Sequence, residues 1–138
     1  LLAMLNGSFV FAADLMREIT VPAEISFVKM SSYAGTSSTG KVKQLIGLND
    51  DIKGRTILIV EDIIESGLTM KAILAQLAEK QPEAIHICTL LLKPDCLETE
   101  LDIRYTAFEI PNDFIVGYGL DYDQQGRNLK DIYTVVEE

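Results

Sequence analysis

Apolar residues along this chain follow two spacings in alternation: short unbroken runs, and stripes repeating every three or four positions. Leu1 to Leu5 is a run and predicts a short buried strand. Asn6-Gly7-Ser8 reads as a turn with Ser8 a fair N-cap. Phe9, Ala12, Ala13 and Met16 then fall on one helical face, in a helix expected to end before Pro22. Ile25, Phe27 and Val28 predict a second strand, "SSYAGTSSTGK" a small polar loop, and "KVKQLIG" a weakly alternating strand beside it. After the turn "LNDDIKGR" comes a strand at Thr56–Val60, then a helix from about Gly67. Met70, Ile73, Leu74 and Leu77 form its buried stripe, and Pro82 closes it. Ala84 to Leu92 is a further strand. "RYTAFEI" and "FIVGYGL" are short extended pieces, and "DIYTVVEE" is a last strand.

Strands interleaved with helices predict an α/β domain with a mainly parallel twisted sheet flanked by helices. The 138 residues suffice for one domain with a real core, so a single domain over 1–138 is expected. The chain opens without Met, as if already inside a strand, which leads us to expect a segment upstream of it. At 48% hydrophobic residues it reads as globular, and no apolar run approaches a membrane span. "LLAMLNGSF" lacks a basic n-region and makes a poor signal peptide, so the glycosylation pattern at Asn6-Gly7-Ser8 carries little weight.

Charge narrows the partners. A formal net charge of −9 disfavours nucleic acid and anionic membranes, because the long-range field repels phosphate polymers. A small phosphate ester remains accessible through backbone N–H groups, a metal ion and a few placed cations. Cys88 and Cys96 have neither CxxC spacing nor a histidine cluster, so zinc is disfavoured; a reduced, cytoplasmic setting is the default.

The chemistry concentrates in "VEDIIESGLT", Val60 to Thr69. A run of acids is usually a solvated face. This one follows a buried run and precedes a helix, which puts it at the carboxyl rim of the sheet, where such folds bind ligands. A helix start offers unpaired N–H groups and the positive end of a dipole. Gly67 permits close backbone approach, and Ser66 and Thr69 add hydroxyls, which together make a phosphate cradle. Glu61 and Asp62 repel phosphate but can accept hydrogen bonds from sugar hydroxyls.

This stretch resembles the signature of the type I phosphoribosyltransferases, which bind phosphoribosyl pyrophosphate through a strand-end acidic pair and a turn on the 5′-phosphate. The resemblance runs nearly the whole chain, in order. "LNGSFVFAADL" is similar to the family's pyrophosphate loop and following helix, and "SSYAGTSSTG" to its mobile loop, with the Ser-Tyr pair at Ser32-Tyr33. "LLLKPD", "FEIPNDFIVGYGLDY" and "GRNL" resemble the purine-binding segments and late arginine of the hypoxanthine-guanine branch.

The resemblance implies a type I phosphoribosyltransferase fold with a mobile loop and a small purine-binding hood. It implies 5′-phosphate on the Glu65, Ser66, Gly67, Leu68 and Thr69 backbone, and ribose hydroxyls on Glu61 and Asp62. Asn6 and Gly7 face pyrophosphate, with Arg127 helping. Lys93 donates to the 6-oxo group, Phe114 stacks on the purine, and the Ile115 backbone reads its edge. Asp121 holds Mg²⁺ beside the base, with Glu61 and Asp62 as further metal-site carboxylates. Glu65 is the catalytic acid or base near N7. The implied activity is purine salvage: phosphoribosyl pyrophosphate and hypoxanthine or guanine give the nucleotide and pyrophosphate. A homodimer or homotetramer is the implied assembly.

Three positions depart from the family's pattern. Glu65 stands where Asp is usual and moves the carboxylate by one methylene. Ser66 replaces a frequent Thr and keeps the hydroxyl. Asn6 stands where many relatives carry Lys, which leaves more of the pyrophosphate charge to Mg²⁺ and Arg127. The family often has a cis peptide at the bond corresponding to Leu5-Asn6.

Several features invite other readings. "GTSSTGKV", Gly35 to Val42, is one residue from a nucleotide P-loop, but Val42 lacks the required hydroxyl and no convincing helix follows. His86, between two isoleucines, reads as structural, and Lys93 alone could be a solvated strand end. Tyr118 and Tyr122 read as packing or interface residues and Asp123 as a surface carboxylate. The rival function is a non-catalytic regulator on the same fold that binds the phosphosugar or nucleotide. A xanthine-preferring enzyme is a closer rival.

Overall fold

A computed structural model describes residues 1–32, 42–46 and 51–136, without side-chain detail for 31, 32 and 42–46. Its elements are β1 (Leu2–Leu5), α1 (Phe9–Glu18), β2 (Ser26–Ser32), β3 (Val42–Ile46), β4 (Thr56–Ile64), α2 (Leu68–Ala78), β5 (Ala84–Leu92), β6 (Tyr105–Glu109), β7 (Ile115–Val116) and β8 (Tyr133–Thr134). A six-stranded sheet has the order β3-β2-β1-β4-β5-β6. All neighbours in it run parallel except β2 and β3. The short β7 and β8 pair antiparallel in a separate ribbon.

Alternation along the strands separates two cores. In β1, Leu2 and Met4 join Ile57, Ile59, Met70, Ile73 and Leu77 in the layer under α2. Ala3 faces the other way, with Val60 and Ala12 of α1. Side chains of successive strand residues point to opposite faces, so one strand serves both layers. A third cluster, around Leu90, Leu91 and Leu120, includes Ile115 and Ile132 and seats the β7–β8 ribbon on the sheet.

This topology creates a crevice. From β1 the chain moves outward to β2 and β3, and from β4 it moves the other way to β5 and β6. The carboxyl ends of β1 and β4 therefore lie side by side where the winding reverses, the usual ligand crevice of an open α/β sheet.

One boundary differs from the sequence reading. β4 does not stop at Val60 but continues through Glu61 and Asp62 to Ile64. The long β5 provides the reason, because its ladder with β4 continues as Glu61↔Thr89, Ile63↔Leu91 and Ile64↔Leu92. Helix α1 ends at Glu18, before Pro22 as expected, where Ile19 turns extended. Ser8 does stand at the N-cap but makes no capping bond. Its buried hydroxyl donates to the Met4 carbonyl at 2.5 Å, tying the turn back to β1. The segment after the P-loop-like stretch is strand β3, not a helix.

Candidate active site

Three loops converge on the crevice. The first follows β1. The Leu5-Asn6 peptide there is cis. Gly7 lies so close to β4 that an added Cβ would overlap the Asp62 carboxylate. The third loop closes from above, where a Cβ on Gly119 would stand 2.6 Å from the Gly7 carbonyl oxygen. Residues 7, 62 and 119 are thus layered with no room for side chains between them.

The second loop, Glu65 to Gly67, joins β4 to α2. Gly67 is the helix N-cap with φ of 81°, a left-handed conformation that suits glycine. A Cβ there would also press on Leu101 at 2.8 Å. Ser66 Oγ accepts from the Leu68 N–H at 3.2 Å, and the first helical bond runs from Lys71 N–H to Gly67 O. The Thr69 and Met70 amides fall in the first turn, which has no intrahelical acceptor for them. Glu61, Ile63, Ile64, Glu65, Ser66, Gly67, Thr69 and Met70 line a cavity of about 200 Å³ at this helix mouth.

A second cavity, of about 240 Å³, lies on the other side of the strand. Asp62, Ile63, Glu65, Lys93, Phe114, Ile115, Leu120 and Asp121 line it. The two acids of β4 therefore separate: Glu61 borders the helix-mouth cavity and Asp62 the other. Glu65 and Ile63 border both.

Electrostatics differ between the two acids' surroundings. Glu61 as a residue is half-buried, yet desolvation holds its carboxyl well above the usual carboxylate range, helped by the hydrogen bond and charge of Asp62. Lys93 lies just beyond β5 with only 7% of its side chain exposed. Its ammonium donates to Glu65 Oε2 at 3.0 Å and to Asn112 Oδ1 at 3.2 Å. Phe114 meets Tyr122 edge-on, with ring centroids 5.4 Å apart. Arg127 donates to the Gly119 carbonyl at 2.8 Å and pairs with Asp121 at 3.4 Å. Tyr118 donates to Asp14 Oδ2 of α1 at 2.5 Å, anchoring this loop to the far helix.

The residues singled out in the sequence thus gather in one crevice, with Asn6 exposed at its β1 side. Arg127 reaches it through Gly119 and Asp121. Ser32 contributes backbone to β2, and Tyr33 and the rest of the expected mobile loop lie outside the described residues. Asn112 was not singled out, although it sits in the "IPNDF" segment two residues before Phe114. Cys88 is buried in β5, consistent with a small core residue.

Comparison with known proteins agrees with this fold. The phosphoribosyl transferase domain family matches residues 1–123, and the chain belongs to that family. The hypoxanthine-guanine phosphoribosyltransferase of Mycobacterium avium is 47% identical over 98% of this chain and 67% of its own length. The hypoxanthine phosphoribosyltransferase of Escherichia coli strain K12 is 45% identical over 99% of this chain and 77% of its own. Among solved structures, a hypoxanthine-guanine phosphoribosyltransferase from Bacillus anthracis superposes with a TM-score of 0.94 at 46% identity, covering 98% of this chain and 80% of that one.

Proposed function

We propose that this chain is a purine-salvage enzyme that transfers the phosphoribosyl group of phosphoribosyl pyrophosphate to hypoxanthine or guanine. The observation that carries the assignment is Glu65, the one carboxylate that borders both the helix-mouth cavity and the cavity under Phe114. A group between phosphosugar and base is where a proton must move as the two join.

The roles follow from the residue types. The 5′-phosphate sits at the helix mouth, on the Glu65–Thr69 backbone and the Ser66 and Thr69 hydroxyls. Glu61 and Asp62 take the ribose hydroxyls. The purine occupies the second cavity, stacked on Phe114 with the Ile115 backbone at its edge. Glu65 is an acceptor and Lys93 purely a donor, 3.0 Å apart. That order matches an N7–H donor beside a 6-oxo acceptor, and it opposes a 6-amino group with a like donor. As the purine nitrogen bonds to C1 of ribose, the C1–O bond to pyrophosphate breaks and Glu65 takes the purine proton. Carboxylates beside the sugar favour its developing positive charge. Asn6, Gly7 and Arg127 receive the leaving pyrophosphate.

Mg²⁺ fits this donor set. Such ions are held by one or two carboxylates together with substrate phosphates rather than by a cage of protein ligands. Asp62 and Asp121 line the same cavity and would supply such oxygens. Glu61 would join them once a nearby cation favoured its ionised form. Bound Mg²⁺ would neutralise charge on the departing pyrophosphate.

A single folded unit over 1–138, a homodimer or homotetramer, and a cytoplasmic location belong to the same proposal. The free thiols of Cys88 and Cys96 support the last. Among the described residues no helix is long and apolar enough to cross a membrane.

The test combines purified protein, Mg²⁺, phosphoribosyl pyrophosphate and each purine base, with pyrophosphate release as the readout. Turnover with hypoxanthine and guanine, its loss with chelator, and none with adenine are expected. Absence of turnover with every base would overturn the assignment.

A further inference from the structure

The Lys93 ammonium is held more tightly than a simple donor to the base requires. It has three N–H bonds, and as a donor-only group it can place each on one acceptor. Two are committed, to Glu65 Oε2 at 3.0 Å and Asn112 Oδ1 at 3.2 Å. The side chain is 7% exposed and lines the cavity with Phe114 and Ile115, so the third N–H has the cavity to address. The carboxylate and the amide come from different segments, before α2 and before β7, and together restrict the ammonium's rotation.

Charge distinguishes the two acceptors. Glu65 neutralises Lys93, whereas the Asn112 carbonyl accepts a hydrogen bond without adding charge. Contact with an ammonium also fixes the Asn112 amide, because only its oxygen can face a donor-only partner. The lysine is thereby aimed without a second carboxylate to bind it away from a neutral ligand.

We propose that Asn112 is a positioning residue for base recognition, which aims the third Lys93 N–H at the 6-oxo group. This rests on the purine-salvage reading above. Asn112 acts through Lys93 and leaves the phosphosugar half of the crevice untouched.

Steady-state kinetics of Asn112→Leu and Asn112→Asp, against wild type and with both substrates varied, test it. Leu is similar in size and accepts no hydrogen bond. It should raise KM for hypoxanthine about five- to tenfold, the worth of one hydrogen bond, with KM for phosphoribosyl pyrophosphate and the melting temperature little changed. Asp restores an acceptor at the same reach but adds a second carboxylate, and should bring the hypoxanthine KM below that of Asn112→Leu without reaching the wild-type value. An unchanged hypoxanthine KM in Asn112→Leu, or an equal rise in both KM values, would overturn the positioning role while leaving purine salvage intact. Failure of the wild-type protein to turn over any base would overturn both.

Discussion

Lys93 and Glu65 form a 3.0 Å ion pair across the carboxyl ends of β5 and β4, one partner almost buried and the other 55% exposed. The buried partner depends on the exposed one for its counter-charge. Glu65 therefore has a structural duty in addition to its proposed place in proton transfer.

Glu65→Gln should separate the two duties. The amide oxygen still accepts from Lys93 but supplies no counter-charge, so the melting temperature should fall modestly while the site stays assembled. Loss of the proton acceptor should lower kcat by on the order of 10² to 10⁴, with KM for phosphoribosyl pyrophosphate little changed. Pre-steady-state kinetics would show whether the chemical step is the one slowed. Equal losses in kcat and in phosphosugar binding would contradict the base assignment.

Gly7→Ala should be costly at a site with no apolar contact to lose. Its Cβ would overlap the Asp62 carboxylate, so that side chain must swing away or the loop after β1 must shift. A penalty of about 1–3 kcal/mol in urea denaturation is expected, as for overpacked interiors. kcat/KM for phosphoribosyl pyrophosphate should fall in parallel.

Glu61 makes stability depend on pH in an unusual direction for a carboxyl. Its folded pKa is raised well above the ordinary value of 4.5, so the native state holds a proton that the unfolded chain releases. The contribution is fully present below about pH 4.5 and is lost as pH rises through the folded value. Without ligand or Mg²⁺, Glu61→Gln should therefore be more stable than wild type at neutral pH. The advantage should shrink as pH falls toward 4.5, as read by denaturant midpoints across that range. A constant difference would contradict the raised pKa.

Tyr118→Phe probes the anchor between the active-site roof and α1. Desolvation and the Asp14 carboxylate push the phenol up to about 12. Ultraviolet titration of the wild type should show a late-ionising tyrosine that the variant lacks. Losing the bond to Asp14 should cost about 1 kcal/mol. Because this phenol's folded pKa is raised from 10, the bond's stabilisation is complete below pH 10 and fades as pH rises through about 12.

Much of this fold was legible because its signals are local. The stripe Met70, Ile73, Leu77 marked the buried face of α2, and the apolar run Ala84–Leu92 coincides with β5. The end of β4 was not legible, because Glu61 and Asp62 look like a strand terminus until the β5 ladder extends beyond them. Strand alternation sets Glu61 at the helix-mouth cavity and Asp62 at the cavity beside Lys93, a division that their adjacency in the sequence did not display. Glu65 with Lys93 and Asp14 with Tyr118 are joined across 28 and 104 residues, separations that no periodicity reports. Asn112 was missed for the same reason: its meaning lies in an ammonium 19 residues away.

The stacking of Gly7 between Asp62 and Gly119 has a consequence for what can be redesigned here. Gly7 and Gly119 bring only backbone to this contact and press on each other and on the Asp62 carboxylate, so the pyrophosphate end of the crevice offers almost no graded adjustment. The Lys93, Asn112 and Phe114 wall is made of side chains and can be altered one atom group at a time. Attempts to change which base is accepted should succeed at that wall, while attempts to change the phosphosugar should encounter an all-or-nothing seam.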